Sequence, residues 1–150
     1  MKRILTIVCC LTLLLGIIPF CAFASEPVPQ TAQTIEYLED GSYVVTELEV
    51  TPTIARTAKS YTKTSTYYTA SNTAVFSVSL IGNFNYTYNV GCSATSQSIS
   101  VSVYLNSASF VSKTSSHSGA TVYGSGTVSY AGRNKTLSLS ITCDKYGNVS

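Results

Sequence analysis

"AVFSVSLIGNFNYTYNVGC", residues 74–92, sets Ala74, Phe76, Val78, Leu80, Phe84, Tyr86, Tyr88, Val90 and Cys92 on even positions, with mostly Ser, Asn and Thr between them. A period of two without a single charge is the pattern of a half-buried antiparallel strand, one face on a core and the other in water. Gly82 interrupts the row and leaves Ile81 on the polar face. A bulge, or a bend where the chain passes from one sheet to another, is expected there.

The same period recurs downstream. Ile99, Val101, Val103 and Leu105 form one inward row, and Lys135, Leu137, Leu139, Ile141 and Cys143 form another. The predicted strands of the body are 58–69, 74–81, 83–90, 99–105, 109–113, 120–130 and 135–143, with "YAGRNK" as a hairpin turn between the last two. Ser, Thr, Val and Tyr dominate, all weak helix formers and several of them good strand formers, so no helix is expected. The fold class read from this pattern is all-β, an antiparallel sandwich of about seven strands, immunoglobulin-like or jelly-roll-like. The 74–92 run therefore faces a hydrophobic core.

Cys92 ends one inward row and Cys143 another, the placement a buried bridge across or between sheets requires. The chain has five cysteines, but Cys9, Cys10 and Cys21 lie in "MKRILTIVCCLTLLLGIIPFCAFASEP", which has the layout of a secretory signal peptide. Lys2 and Arg3 supply the basic start, an apolar run follows, and Ala22-Phe23-Ala24 offers a cleavage site between Ala24 and Ser25. An uncleaved membrane anchor is the alternative reading. Cleavage leaves 126 residues and two cysteines, which in an exported chain read as one disulfide, Cys92 to Cys143. It also removes two of nine basic residues, so the mature chain balances seven acidic side chains with seven basic ones.

That balance is uneven. Glu26, Glu36, Glu39, Asp40, Glu47 and Glu49 precede residue 51, and a mildly basic body follows. "TIEYLEDGSYVVTELEV" carries Asp40-Gly41 between two β-prone runs, a strong hairpin signal. The expected organisation is a signal peptide at 1–24, a linker and acidic hairpin at 25–55, and a disulfide-linked sandwich at 56–150. The hairpin is expected to dock against the body; the competing reading makes 25–55 a removable leader.

"LEDGSYVVTELEV", the "TAVFSVSLIGNFNY" strand and the ending "LSLSITCDKYGNVS" together resemble a group of small, uncharacterised secreted β-rich proteins of Gram-positive, clostridia-like bacteria. The resemblance spans most of the mature chain and implies export and a β-rich fold. It implies no activity.

Chemistry is sparse. His117, in "SSHSGA", is the single imidazole, and Asp40 and Asp144 are the only aspartates. No nucleophile elbow surrounds any serine, so a hydrolase using His117 ranks third among the readings. One histidine and two bridged cysteines do not make a metal site, and no cofactor is expected. Two lysines among the tyrosines of "AKSYTKTSTYYT" supply too weak a phosphate term for nucleic acid, and no membrane association is expected after cleavage. Tyrosine is the suggestive residue, with eleven copies against no Trp. Being apolar in body and polar at the tip, exposed tyrosines suit sugar rings or a protein partner. Tyr61, Tyr67 and Tyr123 are the candidate binding surface; the competing reading is that they pack between the sheets or cover a sheet edge with the hydroxyl reaching water. The leading expectation is a secreted, non-enzymatic extracellular or cell-surface protein that binds cell-wall glycan or extracellular protein through a Ser/Thr/Tyr-rich sheet face. A toxin-like or inhibitory protein is the alternative.

Overall fold

The even-numbered side chains of the 74–92 run point into a core as far as Phe84: Phe76, Val78, Leu80 and Phe84 are buried, whereas Tyr88 and Val90, of the same parity, are exposed in the turn after the strand ends at Thr87. They belong to a computed structural model that describes residues 31–51 and 58–150. Eight strands make up its regular structure: β1 (Thr31–Tyr37), β2 (Tyr43–Thr51), β3 (Ala58–Tyr68), β4 (Ala74–Thr87), β5 (Gly91–Val103), β6 (Ala108–Ser118), β7 (Thr121–Tyr130) and β8 (Arg133–Thr142). They form a five-stranded sheet in the order β1-β2-β3-β4-β5 and a three-stranded sheet in the order β6-β7-β8. All pairings are antiparallel, so each sheet is a meander. Among the described residues the chain changes sheet once, between β5 and β6, a simpler path than the Greek keys of immunoglobulin-like folds.

The sheets face each other, β5 against β6 and β7, β4 against β7 and β8, and β3 against β8. Their closest approach is set by Gly124 and Gly126 on β7. A Cβ on Gly126 would lie 2.7 Å from methyls of both Val78 and Val101, and one on Gly124 would lie 2.8 Å from Ile99. Val122 and Val128 complete the inward row of β7, and Leu137, Leu139 and Ile141 that of β8. Gly82 answers the same need: a Cβ there would meet Val122 at 2.7 Å and the Phe84 ring at 2.8 Å. The strand runs straight through it. The irregularity is a residue further on and in the partner strand, where pairing passes from Asn83↔Ser96 to Phe84↔Ala94 and leaves Thr95 unpaired.

The acidic hairpin continues the larger sheet, β2 pairing with β3 from Tyr43↔Tyr68 to Thr51↔Ser60. At its tip Gly41 takes φ +77° and Asp40 accepts the Ser42 N–H at 3.0 Å, the residue types a tight loop requires. In "YAGRNK" both Ala131 and Gly132 have positive φ, as a two-residue type I′ turn demands. Cys92 on β5 and Cys143 just past β8 form a disulfide, with their Cα atoms 5.9 Å apart. It joins the two sheets at one end of the sandwich.

Residues 1–30 and 52–57, which include the signal segment and the Ala24/Ser25 cleavage site, lie outside the described residues.

Candidate binding face

Strand parity decides which tyrosines meet solvent. On β3 the odd residues Tyr61, Ser65 and Tyr67 face the smaller sheet, and the even residues face outward. Tyr61 is 1% exposed and Tyr67 4%. These two tyrosines, expected to line a solvent groove with Tyr123, instead form part of the core: Tyr61 meets Phe84 edge-on and Tyr67 packs at a tilt on Phe76. Tyr123 lies on the outward side of β7, 46% exposed and on the opposite face of the molecule. The three do not share a surface. The period of two marked Tyr61 and Tyr67 as one row without saying which side was wet, because Lys59, Lys63 and Ser65 make their own side as polar as the even side with Ser60, Thr62, Thr64 and Thr66.

Two groups of tyrosines come together outside: Tyr88 with Tyr146, edge to face at 5.7 Å near the disulfide, and the larger group Tyr37, Tyr43 and Tyr68 at the hairpin. Tyr37 pairs directly with Tyr43 across the hairpin, and Tyr43 with Tyr68. The rings of Tyr43 and Tyr68 stack at 5.0 Å and 6°, and Tyr37 leans on Tyr43 at 5.7 Å and 43°. Tyr43 donates its hydroxyl hydrogen to Oδ1 of Asn72 in the β3–β4 turn, which holds the middle ring. Tyr37 is left 75% exposed with one ring face open to water. The spacing of Tyr37 and Tyr43 about the Asp40-Gly41 turn already implied that pairing.

Beyond this row the same face is a grid of hydroxyls. Thr66, Ser77 and Ser102 form one cross-strand line, and Thr64, Ser79 and Ser100 the next. Thr64 and Ser79 hydrogen-bond at 2.9 Å, and Ser77 meets the Tyr104 hydroxyl at 2.7 Å. Ile35 and Val45 add apolar area beside the tyrosines. Glu47 accepts from the amide of Gln33 at 3.2 Å.

Charge gathers at the sandwich margins. Lys135 on β8 reaches Asp40 at 3.4 Å and lies over the Tyr67 ring, and its ammonium is held above the ordinary lysine range, first by the Tyr67 hydroxyl. The Asp40 carboxyl is held below the usual range, chiefly by the Ser42 hydroxyl. Burial pushes the Tyr61 phenol up, keeping it a donor, and it gives its hydrogen to the Gly147 carbonyl at 2.6 Å. His117 pairs through Nδ1 with the Gln97 amide oxygen at 2.6 Å, a neutral partner with no base character. Among the described residues no group of three His, Cys, Asp or Glu is placed to hold a metal ion.

No family model matches the chain, and no curated protein matches it in sequence. Among solved structures it is similar to a hypothetical protein, lmo2686, from Listeria monocytogenes EGD-e. The TM-score is 0.42 at 17% identity, over 79% of this chain and 90% of that one. That name assigns no activity.

Proposed function

We propose that the protein is an exported, non-enzymatic binding module that takes up a glycan of the cell surface on the outer face of its five-stranded sheet. The observation that carries this reading is the cross-strand row Tyr37–Tyr43–Tyr68, whose outermost ring is 75% exposed. A sugar ring presents C–H groups on one side and hydroxyls around its rim. The open face of Tyr37 suits the first, and the neighbouring hydroxyl grid with Asn72 and Gln33 suits the second. Serines and threonines are short and lose little rotamer freedom when they engage, which favours a polar ligand lying flat. Export is supported by the basic start, apolar run and Ala22-Phe23-Ala24 motif. The pairing of β2 with β3 supports a retained hairpin, since Tyr37 and Tyr43 both lie on it.

Two measurements test the proposal. Mass spectrometry of the exported chain is expected to find an N-terminus near Ser25, and a terminus near Arg56 would remove two of the three tyrosines and the proposal with them. On a glycan array the mature chain is expected to retain polysaccharide, and Tyr37→Ala to lose it.

A further inference from the structure

The two layers differ in width. β1 and β2 extend past β8, leaving a step bordered by the inner face of the acidic hairpin and the edge of β8. Two clefts lie on the hairpin's inner side, one of about 630 Å³ between Ala32, Leu48 and Val50 and the C-terminal turn at residues 147–149, and one of about 280 Å³ between Glu36 and Val44 and the β8 residues Lys135 and Ser138. We propose that this step is a homodimer interface, in which β1 of each protomer pairs antiparallel with β8 of the other.

The main-chain groups match. Leu38 donates to Ser42 within the hairpin, and because bonded and non-bonded pairs alternate, Thr31, Gln33, Ile35 and Tyr37 turn their N–H and C=O groups away from β2. At the far side of β8, Thr142 exchanges two bonds of 3.1 Å with Ser150, so Thr142 turns away from β7. By the same alternation Asn134, Thr136, Ser138 and Ser140 do too. Each edge thus offers a ladder of four residues. Lys63 Nζ already fills one of these positions, donating to the Ser140 carbonyl at 3.0 Å as a strand N–H would.

The faces match as well. In both ladders the side chains of the outward-bonding residues lie on the outer surface of the sandwich, so pairing them keeps outside with outside. A two-fold axis along the strands would slot each two-strand overhang into the other's step and give two continuous eight-stranded sheets. It also fixes the register, because residues at the same height meet. β1 runs parallel to β3, and β3 opposes β8 in direction: Tyr67 lies under Lys135, and Lys63 reaches Ser140. Glu36 is level with Tyr67 through the ladder, which sets Glu36 opposite the partner copy's Lys135 and Gln33 opposite its Ser138.

Charge follows the same division. The hairpin carries Glu36, Glu39, Asp40, Glu47 and Glu49, whereas β8 and the cleft beside it carry Arg133, Lys135, Lys63 and Lys59. Glu36 of each protomer meets the partner copy's Lys135 along the β1–β8 seam, while the two acidic hairpins face each other across the axis. The hydroxyl-covered outer faces and Tyr37 stay exposed in the pair. A free edge of this length is a liability that natural proteins cover, and a second copy covers both edges at once.

Sedimentation equilibrium of the full exported chain tests this and is expected to report a dimer. Ile35→Pro or Ser138→Pro removes an N–H that the monomer's own ladders do not use, and each should weaken dimerisation by about tenfold or more. Glu36→Lys and Lys135→Glu should each weaken it, and the two together restore it. Should the proline variants fail to fold, Gln33→Cys with Ser138→Cys supplies an independent readout, a covalent dimer under oxidising conditions. A monomer at every concentration, a dimer indifferent to these substitutions, or no cross-linked product would each overturn the proposal.

Discussion

Tyr61 on β3 donates its phenolic hydrogen to the carbonyl oxygen of Gly147 at 2.6 Å, joining the larger sheet to the turn that follows the smaller one. Lys59 reaches the same oxygen at 3.2 Å, and Asn89 donates to Lys145 at 2.8 Å in the same turn. With the disulfide nearby, one end of the sandwich is fastened by contacts far apart in sequence. Tyr61→Phe keeps the ring's packing on Phe84 and removes only the hydroxyl. It is expected to cost about 1 kcal/mol in urea unfolding with an unchanged m-value. Tyr123→Phe, on an exposed ring, should fall within about 0.5 kcal/mol of the parent.

The Cys92–Cys143 bridge closes a loop with a sequence separation of 51 residues. In the chain-entropy model such a loop is worth about 4 kcal/mol, a large share of a small domain's stability. Replacing both cysteines by Ala should lower unfolding stability by about 2–4 kcal/mol. Thiol titration of the unfolded wild-type chain after export should find no free sulfhydryl until reductant is added.

Gly126 is needed for the distance between sheets. Gly126→Val inserts branched carbon where methyls of Val78 and Val101 already stand, 2.7 Å from the new Cβ. Because those neighbours belong to two strands of the facing sheet, neither yields without moving the other. A loss of about 1–3 kcal/mol or more is expected by denaturant unfolding. Gly91→Ala, where no atom lies within 4 Å, should change stability by less than about 0.5 kcal/mol.

Acid should loosen the C-terminal turn. Asp144 accepts the backbone N–H groups of Asn148 at 2.9 Å and Tyr146 at 2.8 Å, and the Asn148 bond in particular holds its carboxyl below the ordinary value of 3.8. A carboxyl lowered on folding stabilises the native state while ionised. That contribution is present above the unfolded value and disappears as pH falls through the folded one. Unfolding measured between pH 5 and pH 2 should therefore show a steeper loss for the wild type than for Asp144→Asn.

The sandwich was legible because two core strands state it directly. β4 and β8 keep their large apolar side chains mostly on one parity with polar residues between them. Cys143 closes the inward row of β8 in phase, whereas Cys92 shares the parity of β4 but lies on β5 beyond an exposed turn. The edges were harder. β5 begins at Gly91, not 99, because "GCSATSQS" is small and polar and the unpaired Thr95 breaks its period. β6 continues to Ser118 through "TSSHS", which is exposed and carries no burial signal. Gly82 looked like an interruption because a strand's own pattern does not record what the opposite sheet brings near, here Val122. The binding face was half visible for the same reason. Periodicity separated Tyr68 from Tyr61 and Tyr67, but the choice of wet side needed the second sheet.

The proposed glycan-binding row of Tyr37, Tyr43 and Tyr68 is tested by the fraction of mature chain retained on isolated Gram-positive cell-wall polysaccharide, compared for wild type, Tyr37→Ala, Tyr68→Ala and Tyr123→Ala. Retention by the wild type and Tyr123→Ala, with loss of about tenfold or more in affinity for Tyr37→Ala, is the predicted result, since truncating a well-placed aromatic contact costs more than 1 kcal/mol. Equal retention of all four proteins, or none by any, would contradict it.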